Sequence, residues 1–253
     1  MDDNTALGDA VAIMRDLRKR CEWDAKQTHD SLRPYLIEES HELDDAIRSG
    51  DESRMREELG DVLLQVLFHS VIAEERGEFG ISDVARALVT KMRARHPHLF
   101  DGGDREPWER MKSRKRESIA DGLPVGMPSL HRAHRLQDRA AGVGFDWPSV
   151  EGPAAKVEEE LSEVREHLTG SDSAQTDVKR AKIEAELGDL LFACVNLCRK
   201  AGVHPAIALD KANEKFERRF REIERKCREL GLDPAELGLE RLDQMWDEAK
   251  AAE

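Results

Sequence analysis

The amino-acid sequence predicts an all-α chain in which one helical unit occurs twice, with a charged linker between the copies. Apolar residues recur at helical spacing along most of the 253 residues. Strands are not indicated, because apolar and polar residues do not alternate over any useful length. The tetrapeptide ELGD occurs at residues 58–61 and again at 186–189, each time followed by an apolar segment.

Composition agrees with this class. Hydrophobic residues make up 39% of the chain, charged residues 37% and aromatic residues only 5%, which suits amphipathic helices with solvated outer faces. Residues three or four apart share one side of a helix, so two sets of apolar residues predict helices near the two ends of the chain. These sets are Leu7, Val11, Met14 and Leu17, and then Phe216, Phe220, Ile223, Cys227 and Leu230.

The helical pattern is interrupted once, over residues 101–130, where glycine, proline and charged residues dominate. A short polar helix around Trp108–Ser118 is predicted inside this interruption. We therefore predict an N-terminal helical domain over residues 1–100, a linker over 101–128 and a C-terminal helical domain over 129–253.

The segments on either side of the linker repeat in the same order. Upstream, RKRCEWD precedes LIEESHEL and then REELGDVLLQVLFH; downstream, AGVGFDW precedes VEEELSEV and then EAELGDLLFACVN. Each copy has a Trp-containing turn, an E-E-x-x-E helix and an E-x-x-D helix. This order indicates a tandem duplication of one unit.

Charge and segment patterning limit the classes of partner. A net charge of -13 argues against broad binding to nucleic acid, which requires concentrated Lys and Arg. The sequence predicts no membrane partner, since no apolar run is long enough to span a bilayer. The acidic start MDDNTALGDAV does not fit a secretory signal, so a cytoplasmic location with reduced thiols is predicted. A phosphorylated small molecule is compatible with this negative net charge as a ligand, because a divalent cation can bridge its phosphates to carboxylates.

The acidic motifs predict a metal site in each unit. Residues three apart project from one helix face, which groups Glu160 with Glu163 and Glu186 with Asp189. Burying four carboxylates against an apolar helix pair costs desolvation free energy, and a hard cation such as Mg²⁺ or Mn²⁺ reverses that cost. The corresponding acids of the first unit are Glu39, Glu42, Glu58 and Asp61.

A solvated helix face is the competing interpretation, because Asp and Glu together number 53 of 253 residues. A single E-x-x-D motif therefore carries little information. Two such pairs that recur in the same order in two units favour metal binding.

Basic residues accompany the acids of the second unit. Lys156 and Lys182 each precede a motif glutamate by four residues, and Lys215 and Arg219 are four apart. Ordinary i,i+4 ion pairing explains the positions of Lys156 and Lys182 about as well as ligand binding does. Carboxylates, cations and Mg²⁺ that converge in one place would form a site for a di- or triphosphate.

These motifs resemble those of the MazG family of nucleoside triphosphate pyrophosphohydrolases. The family pattern is E-E-x-x-E followed by E-x-x-D. The segments CEWDAKQTHDSLRPYLIEE, MRARHPHLF, GVGFDW and KANEKFERRFREIE extend the likeness to two-domain bacterial members over nearly the whole chain. The motif residues here are Glu38, Glu39, Glu42, Glu58 and Asp61, and then Glu159, Glu160, Glu163, Glu186 and Asp189.

The resemblance implies a helical bundle in each unit, assembly into a homodimer, and Mg²⁺-dependent hydrolysis of nucleoside triphosphates by the C-terminal unit. By position, the implied metal ligands are Glu160, Glu163, Glu186 and Asp189. The implied nucleotide-binding residues are Lys156, Glu159, Lys182, Lys215, Arg219 and Trp246. Glu159 or Glu163 would accept the proton of the attacking water. Trp246 either stacks on the base or anchors an amphipathic helix.

The first unit departs from this pattern. Tyr35 stands where the second unit has Lys156, Arg54 replaces Lys182, and the linker offers no counterpart of Trp246. We therefore expect turnover in the second unit, while the first unit offers a second candidate metal site.

Three alternatives remain at this point. A di-iron oxidase is disfavoured, since it needs Glu-x-x-His on two helices and the acidic pairs have no His at that place. A non-enzymatic helical interaction protein is compatible with the composition. Narrower enzymes, a dUTP or dCTP pyrophosphatase or a phosphoribosyl-ATP hydrolase, share the chemistry, but the tandem arrangement favours MazG.

Overall fold

The fold was obtained as a computed structural model that describes residues 3–100, 102, 116–169 and 177–253. Within these residues every regular element is a helix, which confirms the all-α prediction. The chain divides into two compact units, Met1–Arg105 and Glu106–Glu253. The short helix expected around Trp108–Ser118 falls mostly outside the described residues. The exact domain limits stay a prediction.

The helices of the first unit follow one another with short connections. They are α1 (Asp3–Arg20), α2 (Glu22–Lys26), α3 (His29–Ser49), α4 (Glu52–Glu75), α5 (Ile81–Arg95) and α6 (Pro97–Phe100). The α3–α4 hairpin turns at Gly50, whose φ of 70° is left-handed, a conformation that costs glycine little. The carboxylate of Asp51 then caps α4 by accepting two backbone N–H groups.

The core of the first unit lies where α1, α3 and α4 meet. Fully burying side chains of this kind stabilises a fold by about 1.5–3 kcal/mol each, so this cluster holds the α3–α4 hairpin in place. The cluster consists of Met14, Leu32, Leu67, Phe68, Val71 and Ile72.

The second unit repeats the hairpin. Its helices are α7 (Ser129–Gly142), α8 (Glu151–Thr169), α9 (Asp177–Lys200), α10 (Pro205–Leu230) and α11 (Gly238–Ala251), with a 3₁₀ turn at Pro234–Glu236 before the last. Helix α8 packs along α9, while α7 packs against α9 and α10. A second core, centred on Ile223, Cys227 and Met245, joins α10 to α11.

Each acidic motif lies on the helix that the sequence predicts for it. The E-E-x-x-E motifs are on α3 and α8, and the E-x-x-D motifs are on α4 and α9. Among the described helices, none combines the length and apolar character that crossing a bilayer would require. Both candidate sites are positioned by the pairing of two helices, α3 with α4 in the first unit and α8 with α9 in the second.

Candidate metal centre

Three carboxylates of the second unit converge between α8 and α9. Glu160, Glu163 and Glu186 each offer one oxygen within 4.8 Å of the others. Glu160 is only 5% exposed, because α8 turns this side chain toward α9. Such a cluster concentrates negative charge where water screens it poorly, so a cation bound there would be favoured.

The cluster changes the acidity of Glu163. The pKa of the Glu163 carboxyl is raised, first because it loses hydration and then because Glu160 and Glu186 carry negative charge beside it. A hydrogen bond between Glu163 and Glu186 acts in the same direction. Without a metal, Glu163 therefore holds a proton more readily than an isolated carboxylate does.

Lys156 neutralises part of this charge. Its Nζ lies 2.6 Å from Oε1 of Glu160 and 2.9 Å from Oε1 of Glu159. The bonds to both glutamates raise the pKa of the Lys156 ammonium. The i,i+4 pairing considered from sequence is thus present, and it brings the ammonium to the edge of the carboxylate cluster.

His167 belongs to the same neighbourhood and was missed at the sequence level. Its Nε2 lies 3.6 Å from Oε1 of Glu186. His167 follows Glu163 by four residues on α8, so the helical repeat would have placed it on the acidic face. The signal was present, but only the acidic letters of the motif were considered.

Other predicted site residues lie outside the three-oxygen group. Asp189 and Lys182 are exposed on α9, one turn after and one turn before Glu186, and Lys215 is exposed on α10. Asp189 is therefore near the cluster along its helix, but it does not contribute to the converging oxygens.

Arg219 and Trp246 form a separate group on α10 and α11. The Arg219 Nη2 donates to Oε2 of Glu253 at 2.6 Å, and its guanidinium carbon lies 5.4 Å from the centre of the Trp246 ring. Trp246 also packs 5.3 Å from the Phe216 ring and against the α10–α11 core. This packing matches the helix-anchor interpretation of Trp246, while its stacking on a base stays a prediction.

The first unit contains a similar cluster with different surroundings. Glu39, Glu58 and Asp61 bring three oxygens within 4.8 Å, while Glu42 is exposed outside this group. Desolvation and then the charge of Asp61 raise the pKa of the Glu39 carboxyl. In place of a lysine, Arg54 approaches Glu58, with Nε 3.5 Å from Oε1.

A cavity of about 510 Å³ opens beside α9 in the second unit. Its walls are mostly apolar and include the rings of Phe145, Trp147 and Phe192. The cavity was not predicted from sequence, since its walls come from four separate segments. Its size and lining are typical of small-molecule pockets.

One wall of the cavity carries an unused hydrogen-bond acceptor. Gln137 is 6% exposed, and its Nε2 donates to the Phe192 carbonyl at 2.8 Å. The opposite end of the amide, Oε1, is buried with no hydrogen-bond partner among the described residues. A buried acceptor without a partner costs about 1–3 kcal/mol; because this oxygen is buried, a ligand in the cavity would reach it only after the Gln137 side chain turns.

The loop that carries the aromatic residues is anchored at both ends. Asp146 accepts hydrogen bonds from Arg199 and from Lys200, the latter at 2.9 Å. Trp147 lies flat against the first turn of α8, where a Cβ at Gly152 would come within 2.5 Å of the indole. A side chain larger than glycine at position 152 would collide with the indole, so Gly152 allows this wall of the cavity to pack directly against α8.

Comparison with known proteins gives two matches inside the chain. Residues 27–100 and 149–223 each match the MazG nucleotide pyrophosphohydrolase domain. Each matched segment contains one E-E-x-x-E and one E-x-x-D motif, which confirms the predicted tandem repeat.

Full-length relatives agree with these matches. The chain is 45% identical to the nucleoside triphosphate pyrophosphohydrolase/pyrophosphatase MazG of Thermotoga maritima, over 96% of this chain and 95% of that protein. It is 41% identical to the nucleoside triphosphate pyrophosphohydrolase of Escherichia coli K12, over 95% and 94%. A nucleoside triphosphate pyrophosphohydrolase of Mycobacterium tuberculosis is 42% identical over 62% of this chain and 50% of its own length.

Proposed function

The chain belongs to the MazG family of nucleotide pyrophosphohydrolases, and we propose that its second unit hydrolyses nucleoside triphosphates between the α and β phosphates. The products would be a monophosphate and pyrophosphate. The chain is a nucleoside triphosphate pyrophosphohydrolase, a hydrolase that acts on acid anhydrides.

The observation that carries this proposal is the convergence of Glu160, Glu163 and Glu186 next to Lys156. Three carboxylate oxygens form a hard donor set, which fits Mg²⁺ and, as an alternative ion, Mn²⁺. When bound, the ion would supply charge neutralisation for the phosphates and a more acidic water. Asp189 stands one turn beyond Glu186 and would complete the set from the exposed side of α9.

The chain's own residues would orient the triphosphate. Lys156 lies at the cluster edge, where it can exchange one glutamate for a phosphate oxygen. Lys182, Lys215 and Arg219 remain proposed partners of the distal phosphates. Glu159 is exposed and lies outside the three-oxygen group, so its carboxylate would be free to accept the water proton. Glu163, whose pKa is raised within the group, is the other proposed acceptor.

We assign the base to the aromatic cavity. Phe192 follows Glu186 by six residues on α9, which places it about 9 Å further along the helix axis and about 120° around it. Stacking on an aromatic ring contributes about 1–3 kcal/mol per base. A turn of the Gln137 side chain on binding would let its Oε1 accept an N–H of the base, and the cavity is therefore proposed as the base site in place of Trp246.

Homodimer formation is also proposed. Helix α9 leaves Leu187 and Leu191 exposed beside the site, the latter by 61%. Exposed apolar residues in a row are typical of an interface. Nucleotide-pool cleansing or a stress response would be the physiological setting, in the cytoplasm, as the sequence predicts.

A panel of canonical and oxidised ribo- and deoxyribonucleoside triphosphates tests the proposal. Monophosphate and pyrophosphate should appear with Mg²⁺ and disappear with a chelator. Glu186→Gln should abolish turnover, whereas the matched Glu58→Gln should leave most of it. Exclusive use of dUTP or dCTP would favour the narrower enzyme, and no turnover of any member would contradict the proposal.

A further inference from the structure

Three histidines of the second unit gather at a place remote in sequence from the acidic motifs. His131 and His134 lie on α7, three residues apart, and His204 immediately precedes α10. The ring of His204 lies 4.7 Å from that of His131 and 4.7 Å from that of His134. The group therefore links the beginning of α7 to the beginning of α10.

Two of these rings have unused nitrogen atoms. Nδ1 of His134 and Nδ1 of His204 are buried with no hydrogen-bond partner among the described residues. A buried ring nitrogen without a partner is unfavourable, because it has given up its hydrogen bond to water. Packing alone would be served by apolar residues, so the two unpartnered nitrogens point to a missing partner.

The charges around the rings permit a cation. Asp138 follows His134 by four residues on α7 and therefore shares its helix face, and Asp210 lies near the beginning of α10, after His204. The nearby Arg135 is paired with Asp138 at 2.6 Å, and Arg199 is paired with Asp146. The arginine charges are thus largely neutralised, and the carboxylates can support ligating histidines as they do in known metal sites.

We propose that His131, His134 and His204 bind a divalent transition-metal ion, Zn²⁺ in the first instance, which joins α7 to α10. Two imidazoles on one tetrahedral Zn²⁺ have ring centres roughly 5 Å apart, because Zn–N is about 2.0–2.1 Å. Both observed ring separations are close to this value. The ligand nitrogens of the three rings are not all within 4.8 Å of one another, so metal binding would require a rotation of the exposed His131 side chain toward His134 and His204.

The ion at this site differs from the one proposed at the carboxylates. Imidazole nitrogen selects Zn²⁺, Ni²⁺ or Cu²⁺, whereas carboxylate oxygen selects Mg²⁺ or Mn²⁺. Both sites can therefore be filled at once, and excess Mg²⁺ suppresses adventitious Zn²⁺ at the acids without emptying the histidine site.

The test is a titration of the full chain with Co²⁺ and then Zn²⁺ in excess Mg²⁺, followed by the visible absorption of Co²⁺ and by the imidazole resonances of ¹⁵N-histidine. We expect a tetrahedral Co²⁺ spectrum that Zn²⁺ removes. His204→Gln and His134→Gln should each weaken binding about tenfold or more. His41→Gln, an exposed histidine of α3, and Glu186→Gln should leave the affinity unchanged.

Far-UV circular dichroism of each variant separates loss of a ligand from loss of the fold. Equal Zn²⁺ affinity in wild type and in folded His204→Gln would overturn the proposal. Binding that disappears in Glu186→Gln would assign the ion to the carboxylates and overturn it as well. A chain that binds Zn²⁺ at the histidines but hydrolyses no nucleotide would uphold this site while contradicting the proposed function.

Discussion

The Nζ of Lys156 lies 2.6 Å from Oε1 of the buried Glu160, one helical turn away on α8. This pair puts a positive charge where a buried carboxylate would otherwise have none. A cation bound to Glu160 would take over that task and release Lys156 for a phosphate. In the absence of a metal ion, Lys156 therefore supplies the positive charge that neutralises Glu160.

Replacing Lys156 with Met should destabilise the chain more in a chelator than in Mg²⁺. Without a cation, Glu160 loses its compensating charge, and a buried charge without a partner is unfavourable. Thermal unfolding in EDTA and in Mg²⁺ measures the difference. Lys182→Met is the matched control, because Lys182 is exposed and should show no such dependence on the metal. Equal losses of Tm in both conditions would mean that Lys156 and the metal ion do not substitute for each other at Glu160.

The stability of the second unit should depend on pH through Glu163. Its pKa is raised above the ordinary 4.5 in the folded chain, so the folded state binds this proton more tightly than the unfolded state does. The stabilising contribution is complete below pH 4.5 and is lost as pH rises through the folded pKa. Glu163→Gln should remove this part of the dependence when Tm is measured against pH in EDTA.

Mg²⁺ should reverse that trend, because the ion and the proton compete for the same carboxylates. Its affinity should therefore rise over the same pH range. Glu39→Gln serves as the matched variant in the first unit, where the pKa of Glu39 is also raised. A Mg²⁺ affinity that did not change between about pH 4 and pH 7 would mean that the carboxylates are not the ligands.

Freeing Arg219 from Glu253 should improve substrate binding. The Glu253 carboxylate accepts hydrogen bonds from Arg219 and then Arg218, which lower its pKa to about 2. It thus occupies the guanidinium that is proposed to bind a distal phosphate. Glu253→Gln should lower KM for a nucleoside triphosphate about two- to fivefold, the scale of one exposed ion pair.

The matched control is Glu248→Gln, since Glu248 pairs with Lys226 at 3.1 Å and has no contact with Arg219 among the described residues. An unchanged KM in Glu253→Gln, with an altered KM in Arg219→Gln, would mean that the carboxylate does not compete with substrate.

Substitutions in the walls of the cavity should change KM more than kcat, because the cavity is proposed to bind the base and not to take part in the chemical step. Gln137→Leu removes the acceptor proposed for the base and leaves the carboxylates intact. We expect KM to rise about tenfold, the value of one hydrogen bond, with a smaller change in kcat. Phe192→Leu should act in the same direction by loss of stacking. A change confined to kcat would place the base elsewhere, with Trp246 as the alternative.

Contacts within one helix could be predicted from the sequence. The i,i+3 and i,i+4 rule places Glu160 with Glu163 and Lys156 with Glu160, and each pairing is present. The meeting of Glu186 with the acids of α8 was expected only from the predicted metal site, which combines the two acidic motifs of one unit.

Contacts between distant segments could not be predicted in this way. The partner of Arg219 is Glu253, two residues beyond the end of α11, and the walls of the cavity come together through the crossing of α7 and α9. Helix crossing depends on how ridges of side chains interlock along the whole interface, and no local pattern encodes it. Asp189 shows the same limit: it shares a face with Glu186, yet its oxygens lie outside the converging group.

The contact between Gly152 and Trp147 ties the floor of the cavity to the helix that supplies two of the three acids. Because Gly152 has no Cβ, the indole of Trp147 packs directly against the first turn of α8. We expect a base that displaces Trp147 to press on the helix that carries Glu160 and Glu163, so that selectivity among bases would depend on how well these two acids stay aligned.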